Sequence, residues 1–263
     1  MLTGLILAVL AAAVSLLTFF AGFGLGTLLM PAFALFLPLE IAVAATAIVH
    51  FANNIVKALL LARHARRDVV IRFGLPAMGA AFVGAALLGM LATEAPIATW
   101  HAFGRDAIVT PIKLVLGVLI VVFGLFELVP ALRAFRAPPR LLPLGGVLAG
   151  FFGGLSGHQG ALRAAFLSPL GLTPIQFTAT QSLLGLMVDI TRLIVYAVTF
   201  LAAGSTSTSP SIPWDLVAFA TVGALAGALA GRALLPKVTV ERLHVLTGVL
   251  LVVVGTALAV GIV

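Results

Sequence analysis

The chain has 263 residues, 62% of them hydrophobic and 9% charged, with a formal net charge of +7. A soluble domain carries roughly a quarter charged residues, so no aqueous fold hides this much apolar surface, and a mean hydropathy of +1.25 makes lipid the solvent. The basic residues lie in short loops, where cytoplasmic retention explains them better than nucleic acid does, and the absence of cysteine excludes disulfides, thiol catalysis and cysteine–metal sites.

The first apolar segment, 2–37, is 36 residues long, whereas one helical crossing needs roughly 20. It is too long for the apolar core of a secretory signal and is read as mature membrane protein. Glycines interrupt it at Gly22-x-Gly24-x-Gly26, followed by Thr27 and, further on, Pro31. This spacing predicts a helix, a glycine break and a second short helix. Broken backbone at membrane depth is tolerated only against protein or a water-filled cavity, where its N–H groups suit an anion. Gly24, Gly26 and the Thr27 hydroxyl are therefore candidate ligand contacts; close packing of small residues is the competing reading.

The next segment, 41–62, carries His50, Asn53, Asn54 and Lys57 at i, i+3, i+4 and i+7. They share one helix face, which lipid would penalise, so the face is expected to look inward. His50, Asn53 and Lys57 are candidate pathway residues, with snorkelling of Lys57 as the alternative. A basic loop with Arg63, Arg66, Arg67 and Arg72 precedes the segment 73–92, and the loop 93–113 mixes both charges. Segment 111–132 contains Gly117-Val-Leu-Ile-Val-Val-Phe-Gly124, and the linker 133–140 contributes Arg133, Arg136 and Arg140.

Segment 141–172 repeats the first pattern, being 32 residues long and broken at Gly154-x-x-Gly157-x-x-Gly160. Around this break Ser156, His158 and Gln159 offer side-chain donors beside Gly157, and Arg163 offers a fixed positive charge. An ionisable group this deep marks a site by default, against the alternative of Arg163 snorkelling to an interface. Segment 175–203 places Gln181, Gly185 and Arg192 on one side, with Asp189 three residues before Arg192 in ion-pair spacing. Gln181 is added to the candidate ligands. An uncharged loop, 204–213, leads to segment 214–235; Arg232, Lys237 and Arg242 then precede segment 243–263.

That last segment contains Gly248-Val-Leu-Leu-Val-Val-Val-Gly255, the earlier octad 131 residues on with only apolar exchanges, and Ala45-Thr46 recurs as Ala179-Thr180. Shared order and near-constant offset point to duplication. The chain is predicted to be an all-α polytopic membrane protein of two homologous halves, residues 1–132 and 141–263, joined by a cytoplasmic linker, 133–140. Each half is a broken helical hairpin plus three transmembrane helices. With 63–72 and 133–140 inside, only a re-entrant or twice-crossing 141–172 keeps the uncharged 204–213 loop outside and the basic 232–242 loop inside. The charges thus favour a second half inverted relative to the first, the arrangement of transporters with a site between repeats.

Catalytic signals are lacking: there is no His-Glu-x-x-His, no Gly-x-Ser-x-Gly and no Gly-Lys-Ser/Thr phosphate loop. No cofactor or metal is expected. The glycine block Gly22 to Pro31, its degenerate copy Gly154 to Gly160, Ala45-Thr46, and eight apolar segments over the whole chain resemble the TauE/SafE family. Ala165 stands where a proline would align in the second block. The resemblance implies secondary export of small sulfur-containing oxyanions, such as sulfite and sulfonates, across a bacterial inner membrane. Such oxyanions suit a site of N–H groups plus one or two cations. The membrane potential drives anion exit at about 2.3 kcal/mol per charge per 100 mV, and His50 or His158 is available for proton coupling. An anion channel and a non-transporting membrane scaffold remain the alternatives; oligomeric state is not legible.

Overall fold

A computed structural model describes residues 1–17, 25–92, 95–102, 104–203, 212–234 and 240–263. The first half contains α1 (Leu2–Leu17), α2 (Leu25–Ala34), α3 (Leu39–Leu61), α4 (Arg67–Ala92), a two-stranded hairpin β1 (Ala98–Ala102) and β2 (Arg105–Val109), and α5 (Pro111–Leu128). The connection holds the single turn α6 (Pro130–Arg133). The second half contains α7 (Leu142–Ser156), α8 (Gly160–Leu167), α9 (Pro174–Ala203), α10 (Trp214–Leu234) and α11 (Val240–Ala259). Among the described residues five helices, α3, α4, α5, α9 and α10, are long and apolar enough to cross a membrane. The chain is an all-α polytopic membrane protein.

The second overlong segment is broken as expected. The first break, 18–24, lies outside the described residues. The second is cut at Gly157, whose φ of 81° is left-handed and whose N–H caps α7 on the Gly153 carbonyl. At 1.5 Å per residue, the eight-residue α8 reaches only about 12 Å, short of a membrane core of about 30 Å. It folds back along α7: Gln159 lies beside Gly153, Phe166 covers Gly145, and the Ala137 N–H donates to the Ala165 carbonyl at 3.2 Å.

Three boundaries differ from the sequence reading. α4 begins at Arg67, so Arg67 and Arg72 sit in its first turns rather than in a loop. α5 stops at Leu128 because Pro130, which lacks an N–H, opens a new turn. The mixed-charge connection holds the antiparallel hairpin, with Trp100 opposite Ala107 and His101 opposite Asp106. The hairpin is anchored on the chain's end, since the Trp100 indole N–H donates to the Val260 carbonyl (2.8 Å) and the Ile108 N–H to the Gly261 carbonyl (3.1 Å).

The halves interlock through small residues. A Cβ added at Gly146, Gly150 or Gly154 of α7 would collide with the carbonyl oxygens of Phe73, Ala77 and Ala81 on α4. Gly223 and Gly227 of α10 are likewise closed by the carbonyls of Ala8 and Ala12 on α1. Rising numbers meet rising numbers, so both pairs run parallel. The two octads face each other, Gly117 against Gly255 and Gly124 against Gly248, so α5 and α11 run antiparallel. α3 and α9 also run antiparallel, His50 meeting Asp189 and Arg66 meeting Thr180. In lipid no hydrophobic drive holds helices together, and close backbone approach supplies dispersion contact instead.

Candidate anion site

The α3–α9 contact carries a buried polar network. Asp189 is its centre. One carboxylate oxygen accepts from Arg192 Nε (3.0 Å) and Nη2 (2.8 Å); the other accepts from His50 Nδ1 (2.7 Å) and Asn54 Nδ2 (3.2 Å). The i, i+3 pair expected on α9 is therefore present, and it is completed from α3, 139 residues away.

The α3 stripe divides in two. His50 and Asn54 turn to Asp189, whereas Asn53 accepts from the Ser15 hydroxyl of α1 at 3.1 Å. Asn53 and Asn54 stand about 100° apart around the helix, enough to address different neighbours. Lys57, one turn further on, is buried within electrostatic reach of Arg163.

Arg163 projects from the first turn of α8 toward α9. Its Nη1 donates to the Gln181 carbonyl at 3.1 Å and lies against Gly185, which Asn54 also approaches. Its Nε has no partner. Glycine at 185 is required here, because a Cβ would displace both side chains.

The second break gathers the remaining candidates. Ser156 donates to the Phe152 carbonyl (2.9 Å). His158 places Nδ1 3.1 Å from the Ser156 carbonyl and stacks on Phe123 of α5 at 5.5 Å between ring centres. Its Nε2, both side-chain polar atoms of Gln159 and both of Gln181 are buried without a partner. Gln159 stands at the N-cap of α8 yet makes no side-chain cap bond. The first N–H groups of a helix have no intrahelical acceptor, so α8 presents a buried, uncapped N-terminus.

The start of α2 meets the second break. A Cβ on Gly26 of α2 would lie 3.3 Å from the Gly157 carbonyl oxygen and 3.6 Å from the His50 ring. Thr27 is buried beside them. Gly26, Gly157 and His50 thus meet, with Thr27, Ser156, His158 and Gln159 adjoining them in sequence; Arg163 and Gln181 meet beside Gly185 and Asn54, Lys57 is buried on α3, Asn53 turns away to α1, and Gly24 lies outside the described residues.

Charge is unbalanced at this place. Arg163 (2% exposed) and Arg192 (0%) are buried around a single carboxylate, Asp189 (0%). Glu127, the other buried acid among the described residues, is engaged elsewhere by His244 at 2.5 Å, between α5 and α11. One guanidinium in excess of the carboxylate, several orphaned polar groups and an uncapped helix N-terminus are features that suit a compact anion.

The profile of the family described as Sulfite exporter TauE/SafE matches residues 6–258. The chain belongs to the TauE/SafE family. Neither the curated proteins nor the solved structures yielded a match. TauE/SafE members are transporters of the sulfite and sulfonate exporter type, not enzymes, which agrees with the missing catalytic motifs. Sequence reasoning omitted Ser15, Phe123 and the Glu127–His244 pair. None has a local signal, since each acquires its partner only through tertiary packing.

Proposed function

We propose that this chain is a secondary exporter of small sulfur-containing oxyanions, working by alternating access in a bacterial inner membrane. The substrate sits where the start of α2 meets the second glycine break. The observation that carries this reading is the buried excess of positive charge at Asp189, where Arg163 and Arg192 stand against one carboxylate. A charge in a membrane interior is costly, and an exchangeable anion is the simplest counter-charge. Arg163 would supply the charge, Gln159 and Gln181 the orienting donors, and the uncapped start of α8 the N–H groups.

A ligand that binds only the folded state raises stability by about 2.7 kcal/mol at a hundredfold excess over Kd. Sulfite, sulfonates, thiosulfate and carboxylates are therefore to be compared as thermal stabilisers of the purified protein. No stabilisation by any of them would defeat the proposal. Arg163→Gln is expected to weaken anion binding by about 2–5 kcal/mol, the usual loss for a desolvated charge pair. Unchanged affinity in the folded variant would return Arg163 to a packing role.

Alternating access follows most simply from inverted halves. The antiparallel pairs α3/α9 and α5/α11, the parallel pairs α1/α10 and α4/α7, and the return of α8 along α7 all fit a second half inverted relative to the first. That arrangement leaves 204–213 outside and 232–242 inside. Cysteines placed at Ser207 and Lys237 are expected to label from opposite faces of intact cells, and same-face labelling would refute the inversion.

A further inference from the structure

We propose that His50, held by Asp189, is a proton-binding site, and that a proton and the anion bind together. The inference rests on the anion reading above. A carboxylate only accepts hydrogen bonds, so the 2.7 Å contact from His50 Nδ1 to Asp189 Oδ2 places the hydrogen on Nδ1. Arg192 holds the opposite oxygen and keeps Asp189 a carboxylate. In the neutral ring Nε2 of His50 then carries the lone pair. It lies on the ring edge facing Gly26, 4.0 Å from where a Cβ of that residue would be, with the Gly157 carbonyl beside the same point. The proton acceptor thus opens on the junction assigned to the anion.

The charges around the ring explain why the two ligands would depend on each other. The charged groups around the ring are Asp189 and Arg192 from α9, in contact with it or with each other, and Arg163 from α8, which meets α9 at Gly185 beside Asn54. On its own helix, Asn54 is neutral, and α2 contains no titratable side chain. With the junction empty, two arginines stand against one carboxylate. An anion at the junction offsets the arginines and pairs directly with a proton on Nε2. By linkage, a proton on His50 then strengthens anion binding by the same factor. His158 lacks this equipment, as its Nδ1 faces a neutral carbonyl and its ring stacks on Phe123.

The test is calorimetric titration of the full chain with methanesulfonate and with sulfate, whose own charges are constant between about pH 6 and 8, in buffers of different ionisation enthalpy. The expected result is uptake of up to about one proton per anion bound, with affinity weakening by up to about tenfold per pH unit as pH rises. His101→Gln, on the exposed hairpin away from the site, is expected to retain the uptake and His50→Gln to abolish it. Anion binding without proton uptake, or affinity flat with pH in the unmodified protein, would overturn this inference and leave the anion site standing. Uptake that survives in His50→Gln would overturn it too. If neither probe binds, the anion reading fails and this inference fails with it.

Discussion

Asp189→Asn is expected to destabilise the protein by about 3–5 kcal/mol, the usual consequence of removing one partner of a buried ion pair. The change is nearly isosteric, so packing is spared and the electrostatic effect is isolated. Arg192 is fully buried and would lose the carboxylate that both Nε and Nη2 address. His50 and Asn54 would lose theirs too, detaching α3 from α9 at their shared polar contact. Thermal unfolding in detergent reads the loss. The double variant Asp189→Asn/Arg192→Gln is expected to recover part of it, because the stranded charge is then gone. A single variant as stable as the parent would mean that Arg192 has another counter-charge.

Gly150→Leu is expected to be at least as damaging, by a different route. The added Cβ meets the Ala77 carbonyl oxygen, carbon and Cα. Backbone cannot rotate away as a side chain can, so α4 and α7 must separate along their length. Overpacking alone commonly costs about 1–3 kcal/mol, and here the whole helix contact is lost with it. Gly79→Ala on α4 is the matched control. Its Cβ would meet nothing within 4 Å, so it is expected to stabilise by up to about 1 kcal/mol through helix propensity. Both changes can be followed as monodisperse yield and thermal midpoint. Equal tolerance of the two would remove the close α4–α7 contact from the account of stability.

The features legible in the sequence are those written locally. An apolar run much longer than one crossing, with glycines inside it, gave the α7–α8 break, because backbone permissiveness and length are properties of the segment itself. The Asp189–Arg192 pair was legible for the same reason, as i, i+3 spacing on a helix fixes the meeting. The hairpin at Ala98–Val109 was not, since five-residue strands of mixed character leave little periodic trace and depend here on anchors at Val260 and Gly261. The division of the α3 stripe was also hidden. Period alone places His50, Asn53, Asn54 and Lys57 on one face, but which neighbour each addresses is decided by where α1 and α9 pack. His50 reaches Asp189 and Gly26 reaches Gly157 only in three dimensions, so the individual candidates could be named in advance and their convergence could not.

The contact between the two octads bears on ancestry. Gly117 meets Gly255 while Gly124 meets Gly248, so each copy offers the other the same patch. That is the geometry of an isologous interface, the kind identical subunits form about a two-fold axis. If the halves descend from one gene, the single-length ancestor already carried a surface complementary to itself. Its two-fold axis would have lain in the plane of the bilayer, since α5 and α11 run in opposite directions. Such a protein could assemble only if half of its copies inserted upside down, with loop charges near balance. Fusion through the arginine-bearing stretch 133–140 would then have fixed the orientation of each half and released the two copies to diverge, as far as Asp189 and Arg192 on α9 and Ile55 and Ala58 at the matching places on α3.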